Sequence, residues 1–302
     1  MRITLFALTM LAGSIAIGGV LAAGRSEQRE NFTLKKDVAG RNWLALRNIN
    51  GEVKVRGVDG LKEVKITGVK IVVDGSAADA TKHLADISVD VAESADGLTV
   101  TTVQPDGQDS RDYMVNYTIE VPRDWKVTVD NTNGDVALAH IGNEVTVNVT
   151  NGSVETKDIA GNLRGEITNG DVRTDATLPE HGTCSIVTTN GRIVARLVVP
   201  PTATCQLETT NGDVSLEIPK NSSAGVSAES VAGDVNVHNL PFVTKKSSVK
   251  EKENKDVDED DDESDDESDD DGPGTAFSGT LGSGKGKIEV SVTNGDIGLK
   301  GF

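Results

Sequence analysis

Aromatic side chains are scarce, with two Trp, two Tyr and five Phe in 302 residues. Trp43, Trp125, Tyr113 and Tyr117 stand apart, and none recurs at a fixed interval, so no stacking platform for sugars or bases is evident. Cysteine is nearly absent too. Cys184 and Cys205 alone exclude a disulfide-dense scaffold. Basic residues are outnumbered 48 to 30, for a formal net charge of −18, which argues against a nucleic-acid partner. His83, His140, His181 and His238 show no ligand spacing, and neither H-E-x-x-H nor G-x-S-x-G occurs. The stretch GTLGSGKG (279–286) approaches a phosphate loop, but Gly286 stands where a Ser or Thr would hold the metal, and it reads as a flexible tether.

Long apolar runs are confined to the N-terminus. Arg2 precedes the uncharged stretch 3–20, and Val20 to Ala23 offer a small-residue cleavage site. Residues 1–23 therefore read as a secretory signal peptide. About 20 apolar residues could also span a bilayer as an uncleaved anchor, but Gly13, Gly18 and Gly19 favour cleavage. No Cys follows the run to carry a lipid. The expected location is exported, periplasmic or at the cell surface, with no transmembrane segment after cleavage.

What the chain does have is a repeated turn. Asn-Gly occurs at Asn50, Asn133, Asn151, Asn169, Asn190, Asn211 and Asn294, with a degenerate copy at Ala232-Gly233. From Asn133 the steps are 18, 18, 21, 21 and 21 residues. With Asn as zero, positions −6, −4 and −2 hold Val145, Val147 and Val149 in one copy and Cys205, Leu207 and Thr209 in another. Apolar residues resume at +3 and +5, as in Val214 and Leu216. Such alternation marks half-buried strands. Asn-Gly is a strong hairpin signal, so an antiparallel meander is one reading. Equal repeats with a corner of constant polarity and a second break midway favour stacked rungs. The fold class expected is all-β, a parallel β-solenoid of 18–21-residue rungs. Thr at −2 and Asn at 0 are placed on the inward face. There Asn133, Asn151, Asn169, Asn190, Asn211 and Asn294 would form a structural ladder, each amide bonding the next.

Residues 24–114 read as a capping region of strands with a short helix at 76–87, 115–243 as the repeats, 244–286 as a disordered acidic insertion and 287–302 as a final rung. The insertion follows from the 62-residue step between Ala232 and Asn294. Its run 250–271 holds 15 acids and three lysines, leaving only about −6 for the rest of the chain. Such composition cannot offset its own ordering entropy. Weak, multivalent capture of Ca²⁺ or Mg²⁺ is conceivable at Asp258, Asp260, Asp261, Asp262, Asp265, Asp266, Asp269, Asp270 and Asp271. No EF-hand spacing supports a tight metal site, and no cofactor is implied.

Position +2 of the corner gives Asp135, Ser153, Asp171, Arg192, Asp213, Asp234 and Asp296. Arg192 between Asp171 and Asp213 could mimic the site of a β-helix glycan-active enzyme, although Asp after Asn-Gly is ordinary turn chemistry. Cys184 and Cys205 both occupy −6, one rung apart, and read as stacked core thiols rather than a bridge.

VNYTIEVPRDWKVTVDNTNGDVAL (115–138), followed by iterated TNG-D-V copies, resembles a family of secreted bacterial domains of unknown function grouped as candidate adhesins. The preceding ADATKHLADISVDV and DGLTVTT are similar to that family's lead-in. The resemblance spans roughly residues 40–300. It implies a β-solenoid and export, carries over no catalytic residue, and does not account for the acidic run. The resulting expectation is a non-enzymatic envelope scaffold or adhesin-like module with an unknown envelope protein or glycan as partner. The alternatives are a β-helix enzyme acting on glycans and a self-assembling structural protein.

Overall fold

The structure, a computed structural model, describes residues 15–20, 25–105, 111–249 and 274–302. The remainder of the expected signal peptide, its cleavage site and all nine aspartates of the acidic run lie outside the described residues. The chain divides into two compact units, Met1–Gly161 and Asn162–Phe302.

The first unit contains β1 (Ile15–Val20), β2 (Ser26–Asp37), β3 (Trp43–Asn50), β4 (Val53–Val58), β5 (Glu63–Asp74), α1 (Ala77–His83), β6 (Ser88–Glu93), β7 (Gly97–Val103), β8 (Asp112–Pro122), β9 (Lys126–Asn133), β10 (Val136–Ala139), β11 (Val145–Asn151) and β12 (Val154–Ile159). Three rungs stack in parallel, each a strand on one sheet, a corner, then a strand on the other. β3 pairs with β9 and β9 with β11. β4 pairs with β10 and β10 with β12. The early Asn50 copy is therefore a true rung, in register with Asn133. Beyond it β8 lies parallel beside β4, and the sheet then turns antiparallel through β5, β2 and β1. On the other face β7 and β6 extend from β3. These outer strands cover the open end, as a solenoid requires.

α1 forms where Ser76 caps it, its Oγ accepting the Asp79 N–H at 3.1 Å. Ala80, Leu84 and Ile87 share the buried face. Around it, Asp86 Oδ2 lies 2.6 Å from His83 Nδ1, and Asp74 Oδ2 lies 2.7 Å from Arg111 Nε. The His83 hydrogen bond holds the Asp86 carboxyl below its ordinary range. The backbone N–H of Gly75 and then Arg111 do the same for Asp74. A depressed folded pKa gives stability that is present above the unfolded pKa of about 4 and lost as pH falls through the folded value. The protection factors of amides around α1, corrected for intrinsic exchange, should therefore fall as pH drops below about 5 and keep falling below about 4, before those of the rungs. Asp86→Asn should flatten the response.

The second unit contains β13 (Leu163–Asn169), β14 (Val172–Thr177), β15 (Thr183–Asn190), β16 (Ile193–Val198), β17 (Thr204–Asn211), β18 (Val214–Ile218), β19 (Ala224–Ala232), β20 (Val235–His238), β21 (Phe242–Val249), β22 (Thr275–Leu281), β23 (Gly286–Asn294) and β24 (Ile297–Gly301). β13, β15 and β17 stack in parallel on one sheet, as do β14, β16 and β18 on the other. Next in space comes the last rung in the chain. β23 pairs with β17 on one side and β19 on the other, and β24 lies between β18 and β20.

The rung expected to finish the stack is thus inserted before the Ala232 copy. β22 pairs antiparallel with the far side of β19, and β21 with β22. The β22–β23 connection therefore straddles β19, turning at Gly282 and Gly284, both of positive φ. Residues 244–249 and 275–281, assigned above to a disordered insertion, are strands. Their alternation supplies the reason: Phe277 and Leu281 are buried on one face of β22. The GTLGSGKG stretch is the end of β22 and its tight turn, not a tether.

Candidate functional site

The Asn-Gly-Asp corner carries most of the polar chemistry singled out by the sequence, and it forms three columns. In the first, Asn133 Nδ2 donates to Asn50 Oδ1 at 2.7 Å and Asn151 Nδ2 to Asn133 Oδ1 at 2.8 Å. In the second unit Asn190 donates to Asn169, Asn211 to Asn190, and Asn294 to Asn211, each at 2.8 Å. Asn50 is half-buried and the six others are exposed, not inward as expected.

The reason is parity. Positions −2 and +3 both face the core, as Thr209 and Val214 do, and five is an odd step. Strict alternation must fail at the corner, where the glycine's positive φ turns the chain and leaves Asn outside. Only −2 is interior. There Thr209 Oγ1 donates to the Gly191 carbonyl at 3.0 Å, and Asn131 Nδ2 to that of Gly134 at 2.7 Å. An exposed amide ladder is worth about 0.5–1.5 kcal/mol per bond. Asn190→Ala, which cuts two bonds, should lower unfolding stability by about 1–2 kcal/mol in urea titrations.

The second column is glycine. Gly191 N–H donates to Asn211 O, and Gly212 N–H to Asn294 O, both at 2.9 Å. The third is the +2 position. Asp135 Oδ1 accepts the Ser153 N–H, Asp171 Oδ1 that of Arg192, Asp213 Oδ1 that of Asp296, and Asp296 Oδ1 that of Asp234, at 2.8–3.0 Å. Asn116 plays the same part for Glu52. Each carboxylate thus clips its own rung to the next. Arg192 joins Asp171 through its backbone. Asp213→Ala should cost about 1–2 kcal/mol by orphaning the Asp296 N–H, and Asp213→Asn, which keeps an acceptor, should cost less.

Cys184 and Cys205 are adjacent in register, buried and unbridged. The Cys184 hydrogen bond, and then burial, push the Cys205 thiol upward, so it stays protonated and unreactive at neutral pH.

In the first unit, where the corner meets the antiparallel cap, there is an open groove of about 940 Å³. Asn50, Glu52, Gln104, Asn116, Asn133 and Asp135 bring amides and carboxylates to its walls, with Met114 and Pro105 between them. Asn50 Nδ2 donates to Tyr113 O at 3.0 Å, which fixes the first rung against β8. Arg25 is tied to Asp112 at 2.9 Å, at the groove's edge. Sequence reasoning missed this place, because its residues come from β3, β8 and β9, the corners after β3 and β9 and the segment that follows β7, and share no spacing. Asn116 gave no signal of its own, since β8 alternates and Asp112, Thr118 and Glu120 share its outward face.

Among the described residues no cluster of three or more His, Cys, Asp or Glu could hold a metal ion, and no helix is long and apolar enough to cross a membrane.

No curated protein matches the sequence. Among solved structures, the fold is similar to a candidate cell adhesion protein from Clostridium sporogenes ATCC 15579, at 13% identity and TM-score 0.37, covering 91% of this chain and 100% of that one. It is also similar to a candidate adhesin from Bacteroides fragilis NCTC 9343, at 11% identity and TM-score 0.38, covering 90% and 97%. At such identities nothing about binding transfers. Residues 123–272 match the model of the Toastrack DUF4097 family, a stretch that stops short of the inserted rung β23–β24. Over that stretch, this chain, all-β and built of parallel rungs, is similar to the Toastrack DUF4097 family.

Proposed function

We propose that the protein is an exported, non-enzymatic interaction module of a bacterial cell envelope, adhesin-like in use, that engages a hydroxyl-rich glycan at the amide-lined groove of its first unit. The observation that supports this most is the gathering of amides and carboxylates around an open groove. Along the corner, the carboxylates that an enzyme would need are committed to backbone N–H groups of the next rung. In the groove, Asn116 and Asp135 each spend one oxygen on a backbone N–H and Glu52 pairs with Lys54, but the Asn116 and Gln104 amides stand on the same walls and bring both donors and acceptors, which suits hydroxyls that give and take hydrogen bonds. A groove built on paired strands is also rigid enough to bind without reordering. The acidic run adds weak Ca²⁺ or Mg²⁺ capture to this proposal, by composition alone.

The test is binding of the exported chain to immobilised envelope glycans, with reducing ends assayed in parallel. Saturable binding, weakened at least about tenfold by Met114→Arg (roughly 1.4 kcal/mol) while the glycan stays intact, is the expected result. New reducing ends would replace the reading with a glycan-cleaving enzyme. Binding indifferent to Met114→Arg would remove the groove from it.

A further inference from the structure

The far end of the second unit is stepped. One sheet stops at β20, which pairs only with β24. The other continues two strands past β19, through β22 to β21, and β21 pairs only with β22. Among the described residues two strand edges therefore stand open, one on each sheet and two strand widths apart.

The core is uncovered at the same place. Every other rung of the unit buries its +3 and +5 residues: Val172 and Thr174, Ile193 and Ala195, Val214 and Leu216, Ile297 and Leu299. Val235 and Val237 of β20 are only half-buried, as are Leu240 and Phe242 beside them. Val243 is 71% exposed and Val231 56%. What the end lacks is strand on the short sheet.

We infer that this end is a self-complementary docking surface whose occupant is a second copy of the chain. Turn a second copy half-way about an axis parallel to the strands. The stacking direction reverses and the two sheets exchange places, so the long sheet of each copy meets the short sheet of the other. The edge of β20 then faces the edge of the second copy's β21, and the reverse, in an isologous contact. Directions agree as well. β21 is antiparallel to β22, which is antiparallel to β19, so β21 runs with β19. β20, on the returning half of the rung, runs against them. A half-turn about the strand axis keeps these directions, so the facing edges are antiparallel and can bond. Charge is complementary across the joint, with Asp234 opening β20 and Lys245 and Lys246 in β21. Those lysines and the shortness of β20 are also what keeps such an edge from promiscuous pairing. The ladders are short, β20 offering only four residues, so the affinity should be weak, on the order of 10–100 µM.

The experiment uses the full exported chain. Sedimentation equilibrium should show a reversible monomer–dimer system with a dissociation constant in that range. Two exposed positions then read the geometry. Asn236→Cys in β20, mixed with Thr244→Cys in β21, should give an oxidative cross-link between copies, while Asn236→Cys alone should give none. A chain that stays monomeric to about several hundred micromolar, well above the expected dissociation constant, overturns the inference. Cross-linking of Asn236→Cys to itself also overturns it, since β20 would then meet β20. Circular dichroism of both variants confirms that the rungs remain.

Discussion

Gly212→Ala is expected to abolish the cooperative folding of the second unit, or to destabilise it by at least about 3 kcal/mol. Gly212 sits at φ +139°, where an L side chain is strained. The steric term is larger. A Cβ there would fall 2.4 Å from the carbonyl oxygen of Gly191 and 2.7 Å from its carbon. Neither atom can move alone, because Gly191 is held by its N–H bond to Asn211, and Gly212 by its own to Asn294. Relief would require opening the 4.8 Å or so of rung spacing that every ladder shares. Gly225→Ala provides the contrast. It lies on β19 with nothing nearer than 3.9 Å to its would-be Cβ and no positive φ, so the change should stay within about 1 kcal/mol. Urea titrations of the two variants, followed by far-ultraviolet circular dichroism, give the comparison directly. Similar losses in both would mean that the stacked corner is not what forbids a side chain.

The rungs themselves were legible in the sequence, because a corner that recurs at 18 and 21 residues fixes where each strand begins. The direction of the corner asparagines was not, although the information was present. Apolar positions at −2 and +3 cannot both continue one alternation, and counting the odd step would have put Asn133 and its equivalents outside. The +2 aspartates were readable as turn residues, but not as clips between rungs, since a hydrogen bond to the next copy's backbone leaves no mark on the local pattern. The groove was invisible for a different reason. It is assembled by β7 and β8 returning to pair parallel with the first rung after long excursions, and without an Asn-Gly corner of their own these strands carry no mark of register.

The inserted rung is the largest departure from linear reading, and a pair of truncations of side chains tests it. Ile297→Ala should cost about 2–5 kcal/mol, and Val235→Ala less than about 1 kcal/mol. Both occupy position +3 of their copies. If the stack followed chain order, Val235 would lie inside and Ile297 at the end, and the costs would be reversed. In the structure Ile297 is fully buried between Val214 and Val235, while Val235 is covered on one side alone. The same order explains why the Ala232 copy is the one that lost its asparagine. Terminal repeats are the atypical ones, as they have no neighbour to bond on their outer side. Asn294 keeps the full consensus because it has two neighbours, Asn211 on one side and Ala232 on the other. Degeneracy of a copy, rather than its place in the chain, is thus the sequence mark of the end of the stack. The excursion between Ala232 and Asn294 reads accordingly: it carries the chain around the terminal rung, caps one sheet with β21 and β22, and returns the last sixteen or so residues to the interior, where burial of Ile288, Val290, Val292, Ile297 and Leu299 holds them.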